Sequence, residues 1–115
     1  MKYDEDLQQY TYELNDLIFV WYEKPDEGYM EIIKKLSENY YKNLDSIIDY
    51  MKSDIEEVYG ICSTDEIKSK LGSPQIDYDN GRVTYLNQTF DNIHIFEFEF
   101  LDDEFKDLQY FSIDG

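Results

Sequence analysis

The chain has few of the residues that build disulfides, special backbone turns or cationic surfaces. Its 115 residues include 1 cysteine, 2 prolines, 5 glycines, 1 tryptophan and 1 histidine. A lone cysteine, Cys62, cannot form an intramolecular disulfide, which predicts a reduced protein of the cytoplasm. No apolar run has the length of a membrane span, and none follows a basic N-terminal segment as in a signal peptide.

Basic residues are scarce as well. Lys and Arg number 10 against 27 Asp and Glu, so the formal net charge is −17. The excess is spread along the chain, with 15 acidic and 6 basic residues in 1–60 and 12 and 4 in 61–115. Such a field opposes binding to nucleic-acid phosphates or anionic lipid, and it favours a basic protein or a cation as partner.

Apolar and aromatic residues are plentiful enough for a packed core. Hydrophobic residues make up 42% of the chain and aromatic residues 17%, which argues against disorder despite the charge. The length fits one domain spanning residues 1–115. We expect a helical part over about 4–72 and a β-sheet part over about 75–114.

The first half of the chain carries helical spacing. Apolar residues at three- and four-residue steps predict a helix from about Asp4 to Glu23, namely Leu7, Tyr10, Leu14, Leu17, Ile18, Trp21 and Tyr22. Pro25 ends this pattern. A second pattern from Tyr29 to Ile55 predicts a long helix, with a break expected near Ser37–Asn43 or at Ser53.

A third helix is predicted from its ends. Ser63-Thr64-Asp65-Glu66 fits a capping box, in which Ser63 serves a backbone amide and Glu66 reaches back. The helix should run from Asp65 to Leu71, because Gly72 suits its C-terminal cap and Pro74 forbids continuation.

After Pro74 the apolar residues alternate. Asn80-Gly81 predicts a two-residue type I′ hairpin, in which Tyr78 pairs with Val83 and Ile76 with Tyr85. Further strands are predicted from about 93 to 101 and from 108 to 113. The fold class is therefore α+β, with two to three N-terminal helices packed on one face of a C-terminal antiparallel four-stranded β-meander.

The stretch "IHIFEFEF" predicts how charged residues are divided between the two faces of a strand. His94 shares a face with Phe96, Phe98 and Phe100, while Glu97 and Glu99 lie on the other. The Phe face should be the core. We expect His94 at the rim of the core, bonded to backbone or water, and not paired with a glutamate.

Carboxylates near this strand are the first candidates for a site. Glu97 and Glu99 stand on one face, and Asp102, Asp103 and Glu104 extend the charge into the next turn. They form either a solvated, aggregation-resistant edge or an acidic surface for basic residues of a partner. No stretch has the full EF-hand pattern, and the sequence predicts no metal site and no cofactor.

Nucleophilic catalysis has little support in the sequence. Cys62 precedes a predicted helix N-terminus, but no base is signalled beside it, so a buried cysteine is expected. There is no Gly-rich phosphate loop and no zinc-ligand spacing. We therefore do not expect an enzyme.

Tyrosines exceed what a small core can hide. There are 12 of them, including Tyr40 and Tyr41, and tyrosine is a common anchor of protein interfaces. Many should be half-buried rim residues. We predict Tyr40 and Tyr41, together with the five carboxylates above, as partner-binding residues.

The chain combines an acidic, tyrosine-rich first half with the stretches "IKSKLGSPQIDYDNGRVTYLNQTF" and "HIFEFEFLDDEFKDLQYFSIDG". In these features it resembles the small acidic immunity proteins that bacteria encode beside polymorphic or contact-dependent toxins. It implies a cytoplasmic protein that neutralises a cognate toxin domain, often a basic nuclease, by direct binding. It assigns no individual binding residue.

Two alternatives stay open at this point. A nucleic-acid mimic or adaptor would use arrayed carboxylates alone, which requires regular charge spacing on one face. A small metal-assisted enzyme using Glu97, Glu99 and Asp102 would require divalent-ion binding.

Overall fold

The computed structural model describes every residue from Met1 to Gly115. In chain order the elements are β1 Lys2–Asp4, β2 Gln9–Leu14, β3 Leu17–Trp21, α1 Tyr29–Lys42, α2 Leu44–Tyr59, α3 Thr64–Leu71, β4 Gln75–Asp77, β5 Arg82–Tyr85, β6 Ile95–Phe100 and β7 Leu108–Asp114. The strands form one seven-stranded sheet in the order β1 to β7. The predicted α+β class is confirmed, but the sheet has seven strands rather than four. It is also not purely antiparallel, because β3 and β4 pair in parallel.

The predicted helix from Asp4 to Glu23 is wrong. This segment forms β1, β2 and β3, which pair antiparallel. Asn15 and Asp16 join β2 to β3 with φ of 52° and 64°. Two consecutive residues with positive φ are the mark of a type I′ hairpin turn. The helical part of the chain is therefore 29–71, and the first 21 residues belong to the sheet.

The other helix predictions are confirmed in their main features. The long second pattern breaks at Asn43, between α1 and α2. At the start of α3, Ser63 Oγ accepts a hydrogen bond from Glu66 N at 3.1 Å, and Gly72 ends the helix with φ 73°. Glu66 pairs with Lys70 instead of reaching back. None of the three helices has the length and hydropathy of a membrane-crossing segment.

The predicted register of the β4–β5 hairpin is wrong by two residues. Ile76 pairs with Val83 and Asp77 with Arg82, so the loop has four residues rather than two. Asp77 accepts hydrogen bonds from the backbone and side-chain nitrogens of Asn80, at 3.2 and 2.7 Å, and only Gly81 adopts positive φ. Because the shift is even, each side chain keeps its predicted face.

The sheet has one covered and one uncovered face. Tyr12, Phe19, Ile76, Val83 and Phe98 form a row that faces the helices and belongs to or packs on the core. We call the opposite surface the bare face. One of its rows crosses all seven strands as Lys2, Thr11, Val20, Asp77, Arg82, Glu99 and Gln109. A second row contains Glu13, Ile18, Gln75, Thr84, Glu97 and Ser112.

Strand β7 forms one edge of the sheet and is interrupted by a bulge. The register shifts between Glu97 and Glu99, and Tyr110 on β7 has φ 54°. The Tyr50 hydroxyl of α2 accepts a hydrogen bond from Phe111 N at 3.1 Å. A bulge and an occupied backbone amide both oppose the pairing of this edge with another strand.

Two substitutions at Asp16 distinguish a turn from a helix. In a helix, glycine costs about 1 kcal/mol relative to alanine and valine is tolerated. At φ 64° the order reverses, since valine is strained there and glycine is not. We expect Asp16→Val to lower the free energy of unfolding in urea by about 1–2 kcal/mol. Asp16→Gly should leave it unchanged or raise it. A larger loss of unfolding free energy for Asp16→Gly than for Asp16→Val would contradict the hairpin turn.

Candidate functional site

Glu97 and Glu99 lie on the bare face, as predicted, and Phe96, Phe98 and Phe100 are buried on the other. Both glutamates have partners within the sheet. Glu97 accepts a hydrogen bond from Thr84 at 3.2 Å and lies 3.5 Å from Arg82 Nε. Glu99 accepts one from Gln109 Nε2 at 3.0 Å. These contacts hold the two carboxylates in place, with Arg82 offsetting part of their charge.

The three acids of the β6–β7 loop have different roles. Asp102 Oδ1 accepts hydrogen bonds from Lys106 N at 3.0 Å and Asp107 N at 2.9 Å, so its carboxylate closes the loop. Asp103 and Glu104 are held through their backbone carbonyls. These accept from Asn39 Nδ2 at 3.0 Å and Asn43 Nδ2 at 2.9 Å. The Glu104 side chain is exposed and lies 3.1 Å from Lys106 Nζ.

A buried aromatic residue anchors this loop to the core. Phe105 has φ 58° and is almost fully buried, with its ring 4.9 Å from that of Phe100 and 5.8 Å from that of Tyr40. Positive φ is unfavourable for phenylalanine, so the burial of its ring has to outweigh local strain. The loop carboxylates are therefore carried on a rigid support.

Tyr40 and Tyr41 do not lie on one surface. Tyr40 is 3% exposed, and its hydroxyl lies 2.6 Å from the hydroxyl of Tyr85. Burial raises the pKa of both phenols, so both stay protonated at ordinary pH and one donates to the other. Tyr41 is exposed and donates to the carbonyl oxygen of Asn15. Tyr40 is thus a core residue, and only Tyr41 remains accessible to a partner.

The main polar network of the molecule contains His94 and three residues that the sequence analysis did not select, Tyr59, Gln88 and Asp91. The His94 ring is bonded to the Asp91 carboxylate, so the expected bond to backbone or water is wrong. Asp91 Oδ2 lies 2.6 Å from His94 Nδ1 and accepts from the Tyr59 hydroxyl at 2.5 Å. Its Oδ1 accepts from Gln88 Nε2 at 3.0 Å and from the backbone amides of Ile93 and His94. The contacts of Asp91 with Gln88 and His94 could have been predicted from the Gln-x-x-Asp and Asp-x-x-His spacings in the sequence. The contribution of Tyr59 comes from α2 and has no local signal.

These contacts set the ionisation of the Asp91 carboxyl. Partial burial by itself would raise its pKa. The hydrogen bonds from Tyr59, from the backbone and ring of His94 and from Gln88 outweigh burial, and hold the pKa well below its usual range. Asp91 is therefore an acceptor-only carboxylate, so the proton of the His94–Asp91 bond belongs to Nδ1 of His94.

The single cysteine is not part of the His94 network. Cys62 is buried, as predicted, and its thiol donates to the carbonyl oxygen of Gly60 at 3.2 Å rather than to His94. No three His, Cys, Asp or Glu side chains are grouped as metal ligands. Glu97, Glu99 and Asp102, the residues of the metal-enzyme alternative, do not form such a group. The hydrogen bonds of the network hold the backbone of the loop between β5 and β6.

Removing the two buried hydroxyls tests whether Tyr40 is structural. Tyr40→Phe or Tyr85→Phe alone leaves one buried hydroxyl without its partner, which should lower the free energy of unfolding by about 1–3 kcal/mol. The double variant removes both groups and should be less destabilised than the sum of the two single variants. Urea titration of all four proteins measures this. Additive losses would show that the hydroxyls do not interact.

Acid titration tests the Asp91 network. Because the pKa of folded Asp91 is below the unfolded value of about 3.9, its stabilising effect is complete above that pH and is lost as the pH falls. Asp91→Asn should therefore have a lower free energy of unfolding than the parent at about pH 5.5. The difference between the two proteins should be smaller at about pH 3. Urea unfolding at both values measures it. A gap independent of pH would contradict the assigned ionisation.

Comparison of the chain with protein-family models, with curated proteins and with solved structures gave no match.

Proposed function

We propose that this chain is a protein-binding inhibitor that neutralises a cognate basic protein by direct contact, in the manner of an immunity protein. The observation that supports this most directly is the net charge of −17 on a folded domain. A field of this sign attracts a cationic protein and accelerates its association, and it repels nucleic acid, anionic lipid and other copies of the chain.

Much of this charge is available to a partner. Helix α2 carries five acidic residues and one lysine. Its Asp49, Asp54 and Glu57 are exposed, with no hydrogen bond or ion pair inside the protein. Such free carboxylates steer encounter more than they add to final affinity.

Exposed tyrosines supply contact area as well as polar tips. Tyr110 is 74% exposed at the bulge of β7, and Tyr22, Tyr3 and Tyr41 are also exposed. A tyrosine combines a large apolar ring with a hydroxyl, and few torsions must be ordered when it is buried by a partner. These rings add accessible aromatic area to an acidic protein, a combination suited to binding a basic protein.

Among the predicted partner-binding residues, Glu97 and Glu99 on the bare face and Asp103 and Glu104 in the β6–β7 loop keep their proposed role. The carboxylates of Glu97 and Glu99 are pre-positioned by contacts within the sheet, whereas the loop holds Asp103 and Glu104 through their backbone. Asp102 is assigned to loop closure and Tyr40 to the core. Pre-positioned carboxylates lose little conformational entropy on binding.

The test of the proposed function is co-purification with the product of the adjacent reading frame. We expect a large protein with a basic C-terminal domain that forms a stable complex with this chain. Its association rate should fall as ionic strength rises from about 50 to about 300 mM, because the Debye length shortens. A complex whose association rate does not depend on salt would contradict recognition through charge.

Charge reversal on the bare face is the matching mutational test. Glu97→Lys with Glu99→Lys should weaken capture of the basic partner by about tenfold or more, measured by surface plasmon resonance. The fold should persist, because partly exposed ion pairs contribute only about 0–1 kcal/mol. Glu31→Lys with Glu38→Lys is the control with the same change of charge on exposed positions of α1. Equal losses from both pairs would leave the bare face with no special role.

A further inference from the structure

Three aliphatic side chains are exposed at the adjoining ends of β5 and β6: Leu86 is one residue beyond β5, Ile95 begins β6, and Ile93 is two residues before it. Leu86 is 43% exposed, Ile93 69% and Ile95 40%. Tyr85 pairs with Phe96, so the flanking residues Leu86 and Ile95 lie side by side at the ends of β5 and β6. We call Leu86, Ile93 and Ile95 the aliphatic patch.

Carboxylates flank the aliphatic patch. Ile95 pairs across the sheet with Asp114, which is exposed, and Glu97 lies two residues along β6 on the same face. Glu99 lies two residues beyond Glu97 on the same face of β6. Arg82 contacts Glu97, but no basic side chain forms an ion pair with Asp114. The patch therefore has an apolar centre and a rim that is predominantly acidic.

The patch is held in place by the Asp91 network. Its residues Leu86 and Ile93 bracket the loop 87–92, and Asp91 Oδ1 accepts the backbone amide of Ile93 at 3.1 Å. Gln88 is buried and donates to the carbonyl oxygen of His94 at 2.8 Å, while its Oε1 accepts from Phe90 N at 2.8 Å. A loop tied at this many points needs little ordering when a partner binds.

Exposed apolar side chains at a pre-organised position with an acidic rim have the composition of an interface centre. A second copy of the chain is a poor occupant, because each copy carries a charge of −17. The charges favour a cationic occupant instead. We propose that the aliphatic patch is the desolvated centre of the docking surface, and that it takes a partner segment with an apolar centre flanked by basic side chains. This inference rests on the proposed binding of a basic protein and specifies where and how that partner docks.

Two synthetic peptides test the proposal on the full chain. One has a central run of leucines flanked by lysines, and the other has serines in place of the leucines. We expect the leucine peptide to bind about tenfold tighter, because only it buries apolar surface on the patch. In ¹⁵N-labelled protein its amide shifts should centre on Leu86, Ile93 and Ile95.

Matched variants separate the patch from other exposed leucines. Leu86→Ser with Ile95→Ser should reduce the affinity of the leucine peptide to that of the serine peptide. Leu7→Ser with Leu101→Ser, at side chains 47% and 59% exposed, is the control and should leave it unchanged. Leu101 lies six residues from Ile95, about 20 Å along an extended chain, and Leu7 lies in the β1–β2 loop. Circular dichroism checks that every variant is folded.

The possible outcomes separate this inference from the proposed function. Equal affinity for both peptides, or an equal loss of affinity in both variant pairs, would overturn the docking site. Neither result would contradict the proposed binding of a basic protein through charge. If neither peptide binds at low salt, the proposed function fails with it. Sedimentation that reveals a dimer, dissociated by Leu86→Ser with Ile95→Ser, would assign the patch to self-association and overturn the proposal.

Discussion

The parallel pairing of β3 with β4 is the contact on which the rest of the structure depends. Ile18, Phe19 and Val20 pair with Gln75, Ile76 and Asp77, and Ile18 N donates to the carbonyl oxygen of Pro74 at 3.0 Å. Parallel neighbours need a long crossover, which here comprises all three helices. The pairing joins an N-terminal three-stranded unit to a C-terminal four-stranded meander in one sheet. Because the helices cover one face of that sheet, the other face is left bare.

Aspartates compensate for the scarcity of glycine and proline in the loops. Asp4, Asp26, Asp77, Asp91 and Asp102 each accept one or more backbone amides that follow them in the chain. An aspartate that accepts the backbone amides after it favours a turn. Three of these turns also contain a residue of positive φ, namely Gln8, Gly81 and Phe105. Part of the acidic excess is therefore structural, and its charge adds to the negative field on which the proposed function rests. The fold and the proposed function use the same residue type for different reasons.

The Asp91 network connects the core to the proposed docking surface. Tyr59 reaches it from α2, and the ring of Tyr59 packs on Phe90 and Phe96 at 4.9 and 6.0 Å. The loop that the network closes presents the aliphatic patch at both of its ends. The hydrogen bonds of the His94–Asp91 pair close this loop, which carries the proposed docking surface. The one histidine of the chain is therefore part of the hydrogen bonding that shapes this loop.

The sequence by itself determined the elements whose signals are local. These include the capping of α3 by Ser63 and Gly72, the break at Asn43, and the alternation that buries Phe96, Phe98 and Phe100. Over residues 4–23 the sequence fits two patterns. Helical steps join Leu7, Tyr10, Leu14 and Leu17, whereas strand alternation joins Tyr10-Tyr12-Leu14 and Leu17-Phe19-Trp21. Only the tertiary structure decided between the two patterns, because β3 is stabilised by pairing with β4, more than fifty residues away. The same non-local packing buried Tyr40, brought Tyr59 to Asp91 and left one face of the sheet uncovered, and none of these has a signal in neighbouring residues.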